Sequence, residues 1–458
     1  MPHPLREKAG SRMVYSIPLA IFIDDVSGNK SKQWNKHFSC YMSNGALPRS
    51  KLENEFHVRF VATSPFASPL EIMQGVRASI EETFSEPVVA WDCETKEEVL
   101  LRSYALLFAG DNPMQAELCS CAGLNTNFFC RTCKAGGTRE WKQSNEEPNV
   151  ATTLTEAVRA SGIKDALAQP IIDLLVKMGQ DLRKANPDVS CRSLIYWTGI
   201  DMHKDTPTEI LHTILLGVVK YYWGQTIWLL EKGQDFSLFQ TRLNSILSDG
   251  LNVPKIQGDY MCQYRGGLIG KHFKTLSQIM AFAVQDLVPP DVLEAWLILG
   301  RLTVLLWHTE IEDVTSYTAE LEKCIDDFIN ITCKCSPSIL ISKPKFHFLV
   351  HLPFFIRRFS PAVLFSTERY EAYNAVFRLC SIYSNRLTPS RDIAWSFAGI
   401  DRVKHIVTGG WWRDPSTDAW TCAKPRVLRH ILNHPEMAAM VGLPTKVDHE
   451  PGMLPFNA

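Results

Sequence analysis

The sequence predicts a mixed α/β protein carrying an all-α insertion. Three observations lead there. Short apolar, β-branched runs bounded by turn residues crowd into the first 109 residues, whereas apolar residues at three- and four-residue spacings dominate from about residue 154 to 407. Between the two textures lies LLFAGDNPMQAELCSCAGLNTNFFCRTCK (106–134), where an apolar run ends in an acid and four cysteines follow closely. An apolar fraction of 45% over 458 residues is ample for two or three cores.

Met13 to Ile23 has the composition of a strand, delivering Asp24-Asp25 to its end before a turn at Ser27-Gly28-Asn29. Lys36 to Met42 and His57 to Thr63 alternate as the second and third strands, with Asn44-Gly45 and Pro48 marking turns between them. Ser68-Pro69 with Glu71 opens a helix to about Phe84: Leu70, Ile72, Met73, Val76, Ile80 and Phe84 keep helical spacing, and proline suits a first turn. Glu98 to Ala109 form the fourth strand, and Gly110-Asp111-Asn112-Pro113 leaves the Asp111 carboxylate at its carboxyl edge. The order β-β-β-α-β, with acids closing the first and fourth strands, matches an RNase H-like core.

Gly136-Gly137 and KQSNEEPNVATT then form a linker, and strand signals nearly vanish. Helices are predicted over Leu154 to Arg183, Pro207 to Leu230, Phe236 to Leu247, Phe273 to Val284, Asp291 to Trp307, Ser316 to Ile331, Pro344 to Phe359, Ser366 to Ile382 and Ala394 to Val407. Four divisions follow: 1–134, the first part of the core with its Cys-rich loop; 135–340, a helical insertion; 341–408, returning helices that complete the core; and 409–458, a tail that is irregular except for a helix near Pro425 to Val441.

Composition excludes several classes. No run of about 18 uncharged apolar residues occurs and the N-terminus has no hydrophobic signal-peptide core, so neither membrane insertion nor secretion is indicated. Thirteen cysteines, an odd number and mostly scattered, suit a reducing compartment. There is no GxxxxGK[ST], nucleophile elbow or dinucleotide fingerprint, so no nucleotide cofactor is expected. The formal net charge is −1, but Ser342 to Arg413 carry eleven Lys/Arg against four Asp/Glu, a local surplus that suits a polyanion.

Two acids at adjacent strand ends stay ionised together only if a cation neutralises them. Mg²⁺ or Mn²⁺ does so with oxygen ligands, and a pair of such ions about 3.5–4 Å apart activates a nucleophile and stabilises the leaving oxygen at phosphorus. A third carboxylate is needed, and two helix-borne candidates are Glu209 in TEILHTILLG and Glu368 in STERYEAYN. A cap at Ser366 or Thr367 would put Glu368 in the first turn, with Glu371 on roughly the same face.

In order, IDDVSGNKSKQW, YMSNGALP, GDNPMQ...CRTC, TEILHTILLGVVKYYW, KPKFHFLVHLPFFIRRFSP and STERYEAYN resemble the DDE transposases of CACTA-type cut-and-paste elements, especially fungal ones of CACTA-like or Kyakuja/Dileera/Zisupton type. More distantly they resemble hAT-type transposases. The match runs from about residue 12 to about 400. The resemblance implies an RNase H-like nuclease core, split by a helical insertion before its last acid, that cuts and joins double-stranded DNA at transposon ends and target with a divalent metal. A nuclear location and a homo-oligomer holding two DNA ends follow from that substrate. Asp24 fits the first acid, with Asp25 as its substitute; Asp111 fits the second and Glu368 the last. Glu209-Ile-Leu-His212 resembles the family's Asp-x-x-His element, a glutamate replacing the aspartate, and leaves Glu209 open as the third metal ligand.

Cys119, Cys121, Cys130 and Cys133 resemble the family's CxxC after the second aspartate, where relatives often show an upstream histidine. Four thiolates at this spacing suit a structural Zn²⁺; the alternative is buried thiols of which only Cys130 and Cys133 matter. His347 and His351, four apart, could chelate, but Phe348, Leu349, Val350 and Leu352-Pro353 around them indicate packed core. Arg357, Arg358, Arg369, Arg378, Arg386 and Arg391 flank the Glu368 helix and suit phosphate contact, each neutralised phosphate steepening the salt dependence by about 0.9 log units per log of salt. Trp223, Trp228, Trp307, Trp411 and Trp412 suit core or interface rather than base stacking. A second functional expectation is a transposase-derived DNA- or protein-binding protein without the reaction, because only about a dozen residues precede the first strand.

Overall fold

The computed structural model describes residues 5–28, 36–119, 121, 123–124, 129–133, 135, 200–248 and 255–440. The linker and the helix expected over 154–183 lie outside the described residues. The chain divides into two compact units, Met1–Phe108 with Glu368–Ala458, and Ala109–Thr367. The divisions therefore fall at 108/109 and 367/368, where the sequence suggests 134/135 and 340/341.

The first unit is built on a five-stranded mixed sheet of order β3-β2-β1-β5-β4. Its strands are β1 (Val14–Ser27), β2 (Lys36–Asn44), β3 (Arg59–Ser64), β4 (Val88–Asp92) and β5 (Glu97–Ala109). β1 to β3 form an antiparallel meander and β4 and β5 an antiparallel pair, so the parallel pairing that makes the sheet mixed falls between β1 and β5. Two details depart from expectation. β4 is an added edge strand, invisible in the sequence because VVAWD is five residues long and does not alternate. Asp24 and Asp25 do not end β1, which continues past them and pairs them with Ser39 and Phe38.

The helix Pro69–Ser85 starts as its sequence demands. Ser68 Oγ accepts from the Glu71 amide at 3.3 Å while Glu71 Oε2 accepts from the Ser68 amide at 2.7 Å, and Ile72, Met73, Val76 and Ile80 form the buried stripe. A second helix, Glu368–Ile382, packs on β1 and β2: Tyr370 stacks on Phe22 with centroids 4.7 Å apart and donates to the Ala20 carbonyl at 3.4 Å, and the Tyr41 hydroxyl donates to Asn374 Oδ1 at 2.9 Å. A third, Pro389–Val407, stacks Phe397 on Phe60 at 4.5 Å. The tail expected to be irregular contributes a hairpin, β6 (Trp411–Arg413) and β7 (Trp420–Cys422). Trp91 of β4 lies 5.4 Å from Trp411 and 5.9 Å from Trp420, so these indoles are hairpin packing.

Lys404 is 2% exposed, its ammonium facing the rings of Phe56 and Tyr373 and donating to the Phe56 carbonyl at 3.3 Å. Burial, with Arg59 adding to it and Asp401 and Glu55 opposing it, pushes this amine down to about 8. A folded-state value below that of the unfolded chain means the unfolded chain binds more protons between about pH 8 and 10.5, so this group makes stability rise with pH across that window. Lys404→Met should therefore stabilise the fold against urea at pH 7, by on the order of 1–3 kcal/mol, and the gain should shrink by pH 10. A gain that is equal at both pH values would reject the burial account.

The second unit is helical. Its described helices include Asn112–Leu118, Lys220–Gly233, Phe236–Ser245, Gly258–Gln263, Gly270–Val284, Pro290–Leu306, Val314–Cys335 and Leu352–Phe359. Buried polar pairs fix their packing: Trp296 Nε1 donates to Thr226 Oγ1 at 2.9 Å, and the Tyr222 and Thr332 hydroxyls lie 2.7 Å apart. The helix expected over 207–230 is two pieces, a π-helix at Leu211–Val219 running into Lys220–Gly233. The one expected over 344–359 is three, Lys345–Phe348, a 3₁₀ turn at Leu349–His351 and Leu352–Phe359, the last with a proline in its first turn. No single helix among the described residues is long and apolar enough to cross a membrane.

Candidate metal centre

In the second unit the loop after Asn112–Leu118 and the segment 345–359 bring together Cys130, Cys133, His347 and His351, whose ligand atoms all lie within 4.8 Å of one another. His351 Nε2 is 3.3 Å from Cys130 Sγ, His347 Nε2 is 3.2 Å from Cys133 Sγ, and the two Nε2 atoms are 3.1 Å apart. A tetrahedral Zn²⁺ with bonds of about 2.0–2.3 Å has ligand–ligand edges of about 3.3–3.8 Å, and these three spacings lie at or just below that range. The helical i, i+4 spacing puts both imidazoles on one face, and the CxxC turn directs the Cys133 amide to Cys130 Sγ at 3.4 Å.

Electrostatics favour a ligating state. Burial alone would push the Cys130 thiol up, but hydrogen bonds from Cys133, His347 and His351 turn the shift well below the ordinary value, toward thiolate. Cys133 is pushed up, first by its hydrogen bond with Cys130 and then by burial, so it holds the proton that a metal would displace. Burial lowers His351, keeping the imidazole neutral as a ligand must be. Phe129 stands edge-on to His347 at 5.5 Å and packs with Cys130, Ala135 and Phe348, so an apolar wall encloses the set.

The four-cysteine site is thereby corrected. Cys119 Sγ donates to the Met202 carbonyl at 3.3 Å and Cys121 Sγ to the Cys119 carbonyl at 3.6 Å, which leaves both outside the cluster as thiols tied to backbone. Their places are taken by His347 and His351, which the sequence assigns to packed core. They are buried, and what sets them apart from ordinary core histidines is that they are buried together with the two cysteines at a spacing that could hold a metal.

The acids divide between the two units. In the first, Asp24 is half-buried and its Oδ1 accepts from the Asp25 amide at 2.8 Å. Asp24 shares a face of β1 with Phe22, the face on which Glu368–Ile382 lies, because side chains two apart on a strand point the same way. Burial, then the Asp24 carboxylate, pushes the Tyr41 phenol up while Arg378 pulls it down, so both charges lie near that hydroxyl. Asp25 is exposed and paired with Lys36 at 2.6 Å. Glu368 and Glu371, both half-buried, form the first turn of their helix.

In the second unit Asp111 caps Asn112–Leu118, its Oδ1 accepting from the Met114 amide at 2.8 Å. Glu209 is not helix-borne. It precedes the π-helix, is fully buried, and accepts from the amides of Leu211 (2.5 Å), His212 (2.7 Å) and Thr367 (3.3 Å) and faces His212 Nδ1 at 3.1 Å. Both its oxygens are thus engaged by the protein. Both carboxylates act on Lys345: burial pushes its ammonium down while Glu209 and Asp111 pull it up.

The arginines serve varied purposes. Arg357 pairs with Glu322 at 2.7 Å, and Arg358 pairs with Asp205. Arg369 is 5% exposed and lies over the Tyr370 ring, which removes it from the surface. Arg378 is half-buried, and Arg386 and Arg391 are exposed, Arg391 over Trp395. No protein-family model and no curated protein matches this chain.

Proposed function

We propose that this chain is a DDE-type DNA transposase, or a fragment of one, cleaving and joining DNA by divalent-metal-assisted phosphoryl transfer. One observation carries the reading: within a single unit, Asp24 sits on the face of β1 that is covered by a helix whose first turn is Glu368 and Glu371. The meander β1–β3, the helix Pro69–Ser85 and β5 beside β1 support an RNase H-like reading of the sheet, to which β4 is an addition. Asp111 joins the set through the family resemblance, as the second acid.

Carboxylate oxygens are hard donors, and Asp24 and Glu368 suit Mg²⁺ or Mn²⁺ in chemistry. Bound there, such an ion would activate water and stabilise the leaving oxygen at phosphorus. Asp24 and Glu368 would hold it, with Asp111 as the further acid that the family resemblance alone implies, and Arg378, Arg386 and Arg391 would steady the DNA backbone. Double-stranded DNA as partner, a nuclear location and a homo-oligomer belong to this same proposal. Glu209 is better suited to holding backbone than metal, which favours Glu368 as the third acid.

The test is Mn²⁺-dependent nicking of supercoiled plasmid. Asp24→Ala, Asp111→Ala and Glu368→Gln should each lower the rate by about a thousandfold, the equivalent of about 4 kcal/mol. Equal nicking by wild type and Asp111→Ala would reject the site, and a wild type that binds DNA without cutting it would favour the inactive, transposase-derived binding protein.

A further inference from the structure

Lys345 opens the short helix Lys345–Phe348, two residues ahead of the candidate ligand His347. Its Nζ donates to the carbonyls of His212 at 2.8 Å and Leu216 at 3.2 Å, both inside the π-helix Leu211–Val219. A side chain inserted into a helical ladder is one of the few causes that distort it, and here the ammonium supplies hydrogen bonds to two carbonyls of the widened turn. Room for it comes from Gly217: a Cβ there would lie 2.5 Å from Lys345 Cδ and 2.8 Å from the His212 carbonyl. At the start of the same π-helix Glu209 collects the amides of Leu211, His212 and Thr367 and the imidazole of His212.

These contacts form one continuous path from the cysteines to Glu209. We infer that Lys345 is a positioning residue, which passes the placement set by the metal centre to the π-helix and so to the Glu209–His212 pair. The metal fixes His347, His347 fixes the backbone of Lys345, and Lys345 holds the π-helix open through Gly217. This goes beyond the proposed reaction and does not depend on it.

Hydrogen–deuterium exchange on the zinc-loaded full chain tests it. Lys345→Ala should keep its zinc yet exchange about tenfold or more faster over 211–219, with β1 and β2 unchanged. Added n-propylammonium, which replaces the deleted atoms, should restore slow exchange, and n-propanol should not; a merely space-filling role would respond to both alike. Chelating the wild-type metal should speed exchange over both 345–351 and 211–219. Unchanged protection of 211–219 in Lys345→Ala or in the chelated wild type, or equal rescue by propanol, overturns the inference. Should Lys345→Ala lose its zinc, Lys345→Met decides by the same readout, because it keeps the bulk in the slot beside Gly217 and removes only the ammonium that donates to His212 and Leu216. The readout uses no DNA, so failure of the wild type to nick plasmid would reject the proposed reaction and leave this inference standing.

Discussion

Purified under reducing conditions, the protein should carry one Zn²⁺ per chain, and Cys130→Ser, Cys133→Ser, His347→Ala and His351→Ala should each lose it. Cys119→Ser and Cys121→Ser should keep it. The expectation rests on four ligand atoms at near-tetrahedral spacing, with a thiolate already favoured at Cys130 and a neutral imidazole at His351. A structural zinc contributes an apparent 10–16 kcal/mol at pH 7, the largest single term expected for this chain. Occupancy should fall as pH is lowered, since the metal must then compete with protons for Cys130 and Cys133. Metal analysis of the six variants is decisive. Zinc retained by a His347→Ala, His351→Ala double variant and lost from Cys119→Ser would restore the four-cysteine site and reject this one.

Glu209→Gln should cost about 2–4 kcal/mol against urea. The carboxylate is fully buried and accepts three backbone amides, and charged acceptors of this kind contribute about 1.5–3 kcal/mol each when a partner is left stranded. Glutamine can satisfy some of these donors, but it turns an NH₂ toward amides that are themselves donors. A carboxylate whose only task was to hold a catalytic metal would do the reverse, since its removal relieves charge repulsion and leaves stability equal or higher. A change below about 0.5 kcal/mol would therefore reject the capping role and reopen Glu209 as the third acid.

Much of the first unit was legible because period-2 runs and a capping box are local signals. β1, β2, β5 and Pro69–Ser85 lie within a few residues of their expected spans. β4 and the β6–β7 hairpin were hidden, since strands of three to five residues hold too few positions for a period to emerge. The metal centre was half legible. CxxC announces itself, but His347 and His351 are embedded in Phe348, Leu349, Leu352 and Phe355, and an apolar setting is what a structural metal site and an ordinary core have in common. Glu209 was misplaced for a related reason: TEILHTILL continues the apolar spacing of the helix, so the residue that starts it looks like part of it.

Cys133 and His347 are separated by 214 residues. During synthesis Cys130 and Cys133 therefore leave the ribosome long before the histidines exist, and the nascent chain can offer a metal only half of its ligands. Completing the set closes a loop whose entropy, by the usual chain model, amounts to about 5 kcal/mol. Four-fold coordination exists only once that loop is closed, so it would mark the completion of this unit, and a chain truncated before residue 347 should emerge with its cysteines exposed to oxidants and to quality control.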